Sequence, residues 1–88
     1  MIRFLSCFWN AEKYIHNCIR SLKNQKDINF KVHLIDDLSS DNSSNIVKNL
    51  INNDDRFELI INEEKKFKLK NFDTLISNFE DEDIIIEL

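Results

Sequence analysis

The stretch HLIDDLSSDN, residues 33–42, joins the end of an apolar run to two adjacent acids and then to a polar cluster. The run begins at Phe30, and its apolar residues alternate with Lys31 and His33, which predicts a β-strand over 30–35. The Ser, Asp and Asn residues behind it are typical of a loop that enters a helix. A strand followed directly by a helix is the building unit of α/β folds, so this stretch indicates the fold class.

The same alternation of strand and helix patterns continues on both sides of this stretch. Short apolar runs predict four strands, over residues 2–8, 30–35, 56–61 and 83–88. Apolar residues at helical spacing predict three helices, over 11–24, about 46–51, and from a start within 66–69 to about 79. Asn10 is the predicted N-cap of the first helix, and Asp41 or a neighbouring serine is that of the second.

This order of elements predicts an α/β fold with a mostly parallel sheet. Strands that alternate with helices through short connections favour parallel pairing and right-handed crossovers. We therefore expect residues 1–88 to form a single domain, with a four-stranded sheet and helices on both of its faces.

Composition and charge exclude several function classes. The chain has 88 residues and a net charge of −4, and it lacks a basic stripe, so it is a poor candidate for a nucleic-acid-binding protein. The cluster KKFKLK, residues 65–70, is interpreted as a solvated helix start. No apolar run is long enough to cross a bilayer, and no signal peptide is recognisable, so we expect a cytoplasmic location. Cys7 and Cys18 have neither a disulfide nor a zinc pattern and are interpreted as small core residues.

Two loops carry most of the chemically informative residues. FWNAE, residues 8–12, follows the first strand, and DDLSSDN, residues 36–42, follows the second. Parallel α/β sheets bind ligands at the carboxyl ends of their strands, and both loops lead into helix N-termini, which favour anions. Trp9 offers a flat face to a nucleobase, and Asp37 can accept hydrogen bonds from a base or a ribose. Adjacent strand residues point to opposite faces, so Asp36 is expected to hold the loop instead.

Other interpretations of these residues stay open. Trp9 can be a half-buried core aromatic, and the acids can cap and solvate a loop or hold Mg²⁺ directly. The segment VHLIDD also resembles the opening strand of receiver domains in two-component signalling, but here a strand and a helix precede the acids. The chain has no G-x-G-x-x-G and no Walker A motif.

Two blocks together resemble a known family. FWNAEKYIHNCIRSLKNQ, residues 8–25, resembles the opening of family 2 glycosyltransferases with the Rossmann-like GT-A fold. VHLIDDLSSDNS, residues 32–43, is similar to that family's Asp-Asp-Gly-Ser-x-Asp motif. The resemblance continues more weakly through Asn62, the lysine-rich segment and Asn71, so that it covers the whole chain.

The resemblance implies transfer of a sugar, of hexosyl type, from a nucleotide diphosphate donor to an acceptor hydroxyl. The donor would be of the uridine diphosphate type. By the same resemblance, Trp9 contacts the base, Asn10 and Glu12 shape its pocket, Asp37 binds the base or ribose, and Lys66 or Lys70 lies near the diphosphate. Gln25 would be a structural residue at the end of the first helix. A non-catalytic nucleotide-binding or interaction module of the same fold is the alternative.

The sequence departs from the family pattern at several positions. Cys7 replaces a common proline, and Leu38 replaces the glycine after the acids, so a positive φ is not expected at Leu38. In the family, an Asp-x-Asp motif that holds Mg²⁺ or Mn²⁺ follows a strand like DIIIEL, whereas here Asp81-Glu82-Asp83 precedes that strand. We therefore assign no catalytic or metal-binding residue.

The position of that missing motif suggests that the chain is a truncated donor-binding half of such an enzyme. We expect residues 1–88 to show no turnover alone, and a divalent cation is expected only for a full-length relative, which would lie in the cytoplasm or at the inner face of the membrane. The apolar last strand, without further neighbours, predicts self-association.

Overall fold

Seven helices and strands follow one another in strict alternation. A computed structural model of the chain describes residues 1–80 and 82–88, without the side chains of Leu69 and Thr74. Its elements are β1 (Ile2–Phe8), α1 (Ile15–Lys23), β2 (Phe30–Asp36), α2 (Ser43–Ile51), β3 (Phe57–Ile61), α3 (Phe67–Ile76) and β4 (Ile84–Glu87). All four predicted strands and all three predicted helices are present. The predicted acidic stretch ahead of β4 includes Asp81, which lies outside the described residues.

The four strands form one sheet in the order β3-β2-β1-β4, and every pair in it is parallel. The predicted α/β fold with a parallel four-stranded sheet is therefore confirmed. β2 and β3 lie on one side of β1 and β4 lies on its other side, so the order reverses between β1 and β4. This is the order of Rossmann-type sheets, whereas receiver-type sheets place β1 between β2 and β3. The receiver interpretation does not fit this topology.

The apolar core lies on the face of the sheet that α1 and α2 cover. Alternate residues of β1, β2 and β3 point to this face, because side chains in a strand alternate between its two sides. The most completely buried members are Ile19 from α1, Val32 and Leu34 from β2, and Val47 from α2, which are all 0% exposed. Burial of a large aliphatic side chain contributes about 1.5–3 kcal/mol, so this layer supplies most of the hydrophobic stabilisation.

The opposite face, covered by α3, is more polar. His33 is buried there, its Nε2 accepts a hydrogen bond from Arg3 Nη1 at 3.1 Å, and its Nδ1 lies 3.2 Å from Glu58 Oε2. Burial lowers the pKa of His33, and the neighbouring Arg3 lowers it further, against the opposite effect of Glu58. Arg3 also donates to Asp83 at 2.6 Å. Polar links of this kind attach the start of β4 to β1.

The start of α1 differs from its prediction. The predicted helix begins at residue 11, whereas α1 begins at Ile15, and Tyr14 occupies the N-cap position. Residues 11–14 form a turn instead, in which the Ala11 carbonyl accepts hydrogen bonds from the N–H groups of Tyr14 and Ile15. Asn10 has a φ of 50° and does not cap the helix. Its side chain binds the neighbouring loop, and that tertiary contact competes successfully with capping.

The expectation for Leu38 is wrong, because its φ is 66°. A left-handed conformation costs a residue with a Cβ about 1–2 kcal/mol. The flanking residues offset that cost, since Asp36 Oδ1 accepts a 2.8 Å hydrogen bond from the N–H of Ser39, and the N–H of Asp37 donates to the carbonyl of Phe8. The loop is therefore held at both sides of Leu38.

The three helices contain 9, 9 and 10 residues. Within the described part of the chain, no helix has the length and apolar character needed to cross a membrane.

Candidate functional site

The carboxyl ends of all four strands meet at one edge of the sheet. Trp9 follows β1, Asp37 follows β2, Asn62 follows β3, and Leu88 follows β4. The reversal of strand order between β1 and β4 places Trp9 and Leu88 beside the point where ligands bind in open α/β sheets. A cleft of about 320 Å³ lies there, and its walls include Tyr14 and both of these residues.

The two loops that the sequence singled out are joined to each other. Asn10 Oδ1 accepts hydrogen bonds from the N–H groups of Ser40, at 2.8 Å, and Asp41, at 3.3 Å. Glu12 Oε2 accepts from the N–H of Asn42 at 3.1 Å, and the N–H of Glu12 donates to Asp41 Oδ2 at 3.3 Å. The loops behind β1 and β2 therefore form one unit. Asn10 and Glu12 hold that unit together from beside the cleft.

A buried serine completes this joint at the start of α2. Ser43 Oγ accepts the N–H of Ala11 at 2.8 Å and donates to Asp41 Oδ1, which also accepts the N–H of Ser43 at 2.9 Å. Asp41 thus accepts the first N–H of α2, but Asn42 occupies the N-cap position and makes no capping hydrogen bond with its side chain. The prediction of Asp41 or a neighbouring serine as the N-cap is therefore wrong. Ser43 was missed by sequence reasoning, because its partner Ala11 lies in a different loop.

Asp37 is buried, at 2% exposed, and both of its carboxylate oxygens are occupied. Oδ1 accepts from Asn62 Nδ2 at 3.0 Å and from the N–H of Lys66 at 2.8 Å, while Oδ2 accepts from the N–H of Phe67 at 2.9 Å. Burial alone raises the pKa of Asp37, but these hydrogen bonds outweigh it and lower the pKa to about 2. The carboxylate is therefore charged at neutral pH, and it anchors the loop between β3 and α3.

Lys65 lies between the predicted base-binding residues. Its Nζ is 4.3 Å from the ring centroid of Trp9, 5.2 Å from that of Phe67, and 3.6 Å from Asp37 Oδ2. Trp9 itself is 53% exposed and belongs neither to the apolar core nor to the partly buried side chains that pack against it. Lys65 was missed by sequence reasoning, which favoured Lys66, and no local pattern distinguishes the lysines of residues 65–70 from one another.

A buried amide network connects the strand ends to α3. Asn62 Nδ2 also donates to Asn71 Oδ1 at 2.8 Å, and Asn71 Nδ2 donates to Cys7 Sγ at 3.1 Å. Burial raises the pKa of the Cys7 thiol, so it is protonated at neutral pH and acts as a hydrogen-bond acceptor. The network fixes α3 against β1 and β3, and thereby fixes the loop that carries Lys65.

The structure places the five predicted site residues in two groups. Trp9 and Asp37 approach each other through Lys65, and Lys66 contributes its backbone N–H to Asp37 rather than its ammonium. Asn10 and Glu12 belong to the joint between the loops. Whether any of the five contacts a nucleotide stays a prediction.

Within the part of the chain that the structure describes, no three or more His, Cys, Asp or Glu side chains are grouped so that they could hold a metal ion. Asp37 is surrounded by N–H donors and an ammonium, and Asp36 Oδ1 accepts the N–H of Ser39. Asp83, ahead of β4, pairs with Arg3 and with the N-terminal amine of Met1. Both oxygens of Asp37 and of Asp83 thus face N–H groups or cations, and these positively polarised surroundings oppose the binding of a divalent cation.

Comparison with known proteins gives two matches. The profile of the family described as "Glycosyl transferase family 2" matches residues 4–88. A Bacillus subtilis (strain 168) protein described as "Putative glycosyltransferase EpsH" is 34% identical over 59 residues, which cover 67% of this chain and 17% of that protein. The chain therefore matches about a sixth of its relative's length.

Proposed function

Because this chain belongs to glycosyltransferase family 2, we propose that its carboxyl edge binds the nucleoside diphosphate part of a sugar donor, of the uridine diphosphate type. The domain would thereby serve the transfer of a sugar to an acceptor hydroxyl.

The observation that carries this proposal is the position of Trp9. A tryptophan that is 53% exposed at the switch point of a parallel sheet presents an aromatic surface to a ligand rather than to the core. Stacking of a base on an aromatic side chain contributes about 1–3 kcal/mol. The charged carboxylate of Asp37 lies on the far side of Lys65, within the same loop cluster, and its Oδ2 would accept an N–H or hydroxyl group of a nucleoside in place of the Lys65 ammonium.

Nucleotide binding to the isolated chain tests the proposal. Trp9 is the only tryptophan of the chain, so its fluorescence reports on this site alone. We expect uridine diphosphate to quench that fluorescence and to bind with a calorimetric signal. Trp9→Ala should weaken the calorimetric affinity by about 10-fold or more, and Trp9→Phe, which keeps an aromatic ring, should retain most of it. Equal affinity for the wild type and Trp9→Ala would contradict the proposal.

The choice of Trp9 for this test follows from the structure. Asp37→Ala would leave the N–H groups of Lys66 and Phe67 without their acceptor, so a loss of binding in that variant would also report a damaged loop. Substitution of the exposed Trp9 removes the stacking surface with little effect on the fold, which circular dichroism can verify.

A second expectation concerns turnover. Asp37 and Asp83 are engaged by N–H groups and cations, and a diphosphate leaving group needs compensating charge, such as that of a bound metal ion. We expect residues 1–88 to bind nucleotide without transferring sugar, as a non-catalytic nucleotide-binding module would. Release of uridine diphosphate from nucleotide-sugars in the presence of Mn²⁺ would show that this expectation is wrong.

A further inference from the structure

We propose that the ammonium of Lys65 changes its partners when a nucleotide binds. In the free chain it closes the space between Trp9 and Asp37, and when a nucleotide enters it moves to the diphosphate. The inference rests on the proposed nucleotide site and adds to it a residue that sets its selectivity for phosphorylated ligands.

The ammonium is held by three groups at once. Its Nζ lies 4.3 Å from the Trp9 centroid, 5.2 Å from the Phe67 centroid, and 3.6 Å from Asp37 Oδ2. Cations are attracted to aromatic faces within about 6 Å of the centroid. Two rings and a carboxylate thus form a small cation-binding cage, which the chain fills with its own lysine.

A base and this ammonium compete for one space. A nucleoside that stacks on Trp9 and reaches Asp37 must lie between the two, where the ammonium now stands. The side chain of Lys65 is 35% exposed, so the ammonium has a route to solvent. A lysine has a flexible four-carbon stem, so it can leave by rotation of its side chain while the backbone stays in place.

The backbone around Lys65 is, by contrast, firmly held. The N–H groups of Lys66 and Phe67 donate to Asp37 at 2.8 and 2.9 Å. Phe67 has a φ of 64°, in the left-handed region that a bulky residue adopts only where its surroundings impose it. Exchange of the side chain therefore leaves the loop intact and keeps the ammonium next to the site.

The charge of the ligand decides whether the exchange is favourable. A neutral nucleoside displaces the ammonium from Asp37 and Trp9 and offers it no replacement. A diphosphate offers a stronger anionic partner close by, and charge-assisted contacts of this kind are among the strongest hydrogen bonds in proteins. Lys65 accordingly opposes binding of uridine and favours binding of uridine diphosphate.

Lys65→Met tests this inference, because methionine keeps the length of the side chain and removes its charge. Lys68→Met is the matched control, since the ammonium of Lys68 pairs with Glu87 in β4. We expect Lys65→Met to bind uridine about 3-fold more tightly, because uridine no longer has to displace the ammonium from the Trp9 ring. Uridine diphosphate should bind about 10-fold more weakly, because the variant has no ammonium to contact the diphosphate. Lys68→Met should leave the ratio of the two affinities unchanged.

A second measurement observes Lys65 without relying on affinity. In the ligand-free chain, the ε-methylene protons of Lys65 should be shifted upfield by the ring current of Trp9, and uridine diphosphate should remove that shift. Trp9→Ala should remove it without any ligand.

The outcomes separate the two proposals. If uridine diphosphate binds to the wild type and Lys65→Met leaves the ratio of affinities unchanged, the role of Lys65 is overturned and the nucleotide site stands. An equal loss for both ligands, or an unshifted Lys65 methylene in the free chain, also overturns it. If the wild type binds neither ligand, both proposals fail together.

Discussion

At the scale of single residues, the adjacent acids Asp36 and Asp37 have separate tasks. Both are buried, at 1% and 2% exposed, but they point to opposite faces of the sheet. Asp36 accepts the N–H of Ser39 and holds its own loop, as the sequence predicted. Asp37 instead anchors the loop between β3 and α3, a contact that the sequence did not indicate. Its predicted contact with a nucleoside would be made by a carboxylate that is already fixed in place.

Asp37→Asn should make the acid dependence of stability weaker. The pKa of Asp37 is about 2 in the folded chain, below its usual 3.8, so the carboxylate stabilises the fold above pH 3.8 and loses that contribution as pH falls toward 2. At pH 7 the variant should be about 2–3 kcal/mol less stable, because an amide presents fewer acceptors to the N–H donors. Urea unfolding at several pH values measures this difference.

The exposed Asp27→Asn is the control for Asp37→Asn, and at pH 7 its stability should equal that of the wild type. A difference between wild type and Asp37→Asn that stays constant from pH 7 to pH 3 would contradict the assigned role of Asp37.

At the scale of elements, local patterns locate the strands well and the loops less well. β2 extends one residue beyond its predicted end, to Asp36, whereas α1 begins at Ile15, several residues after its predicted start. Strand positions follow from apolar runs that any local reading detects. The start of α1 depends on Asn10, whose side chain binds Ser40 and Asp41 in another loop. A contact between distant segments decides where that helix begins.

Leu38→Gly should be more stable than Leu38→Ala. Leu38 has a φ of 66°, and a Cβ in that conformation costs about 1–2 kcal/mol. Glycine avoids this cost, but it loses more backbone entropy on folding than alanine does, which offsets part of the gain. The expected difference between the two variants is about 0.5–1 kcal/mol, measured by urea or thermal unfolding.

The same pair of substitutions at Ile28 provides the control. Ile28 is exposed in a loop and is not among the residues with positive φ, so the Ile28→Gly variant should be less stable than the Ile28→Ala variant. Equal stability of the two Leu38 variants would show that a Cβ in the left-handed conformation does not lower the stability of the chain at this position.

At the scale of the whole molecule, helices cover one face of the sheet well, whereas the edge strand β4 is largely exposed to solvent. One face carries the core under α1 and α2, whereas β4 lies at an edge of the sheet and, among the described residues, pairs with β1 alone. Three isoleucines and the following leucine are between 39% and 59% exposed, namely Ile84, Ile85, Ile86 and Leu88. An exposed, apolar edge strand is a template for pairing with another chain.

We therefore predict that the isolated chain self-associates through β4. Sedimentation velocity over a wide range of protein concentration should show a shift toward dimers or larger species. Ile85→Lys places a charge on the exposed strand and should suppress that shift, as lysines do on natural edge strands.

Ile28→Lys is the control for Ile85→Lys, because Ile28 is exposed to a similar extent, 43% against 40%, and lies outside the sheet. It should leave self-association unchanged. A wild-type chain that remains monomeric at every concentration would contradict the prediction.

The sequence by itself determined the α/β class, the four strands, the apolar stripes of the helices and the two candidate ligand-binding loops, residues 8–12 and 36–42. These features arise from periodicity over a few residues, which needs no knowledge of distant contacts. Only the tertiary structure decided that Lys65 lies on Trp9, that Asp37 is buried beneath the β3–α3 loop, and that Leu38 is left-handed. Asp37 and Lys66 are 29 positions apart in the chain, and they meet because β3 pairs with β2 and brings its loop to the same edge. Strand order sets that meeting, and no local pattern encodes strand order.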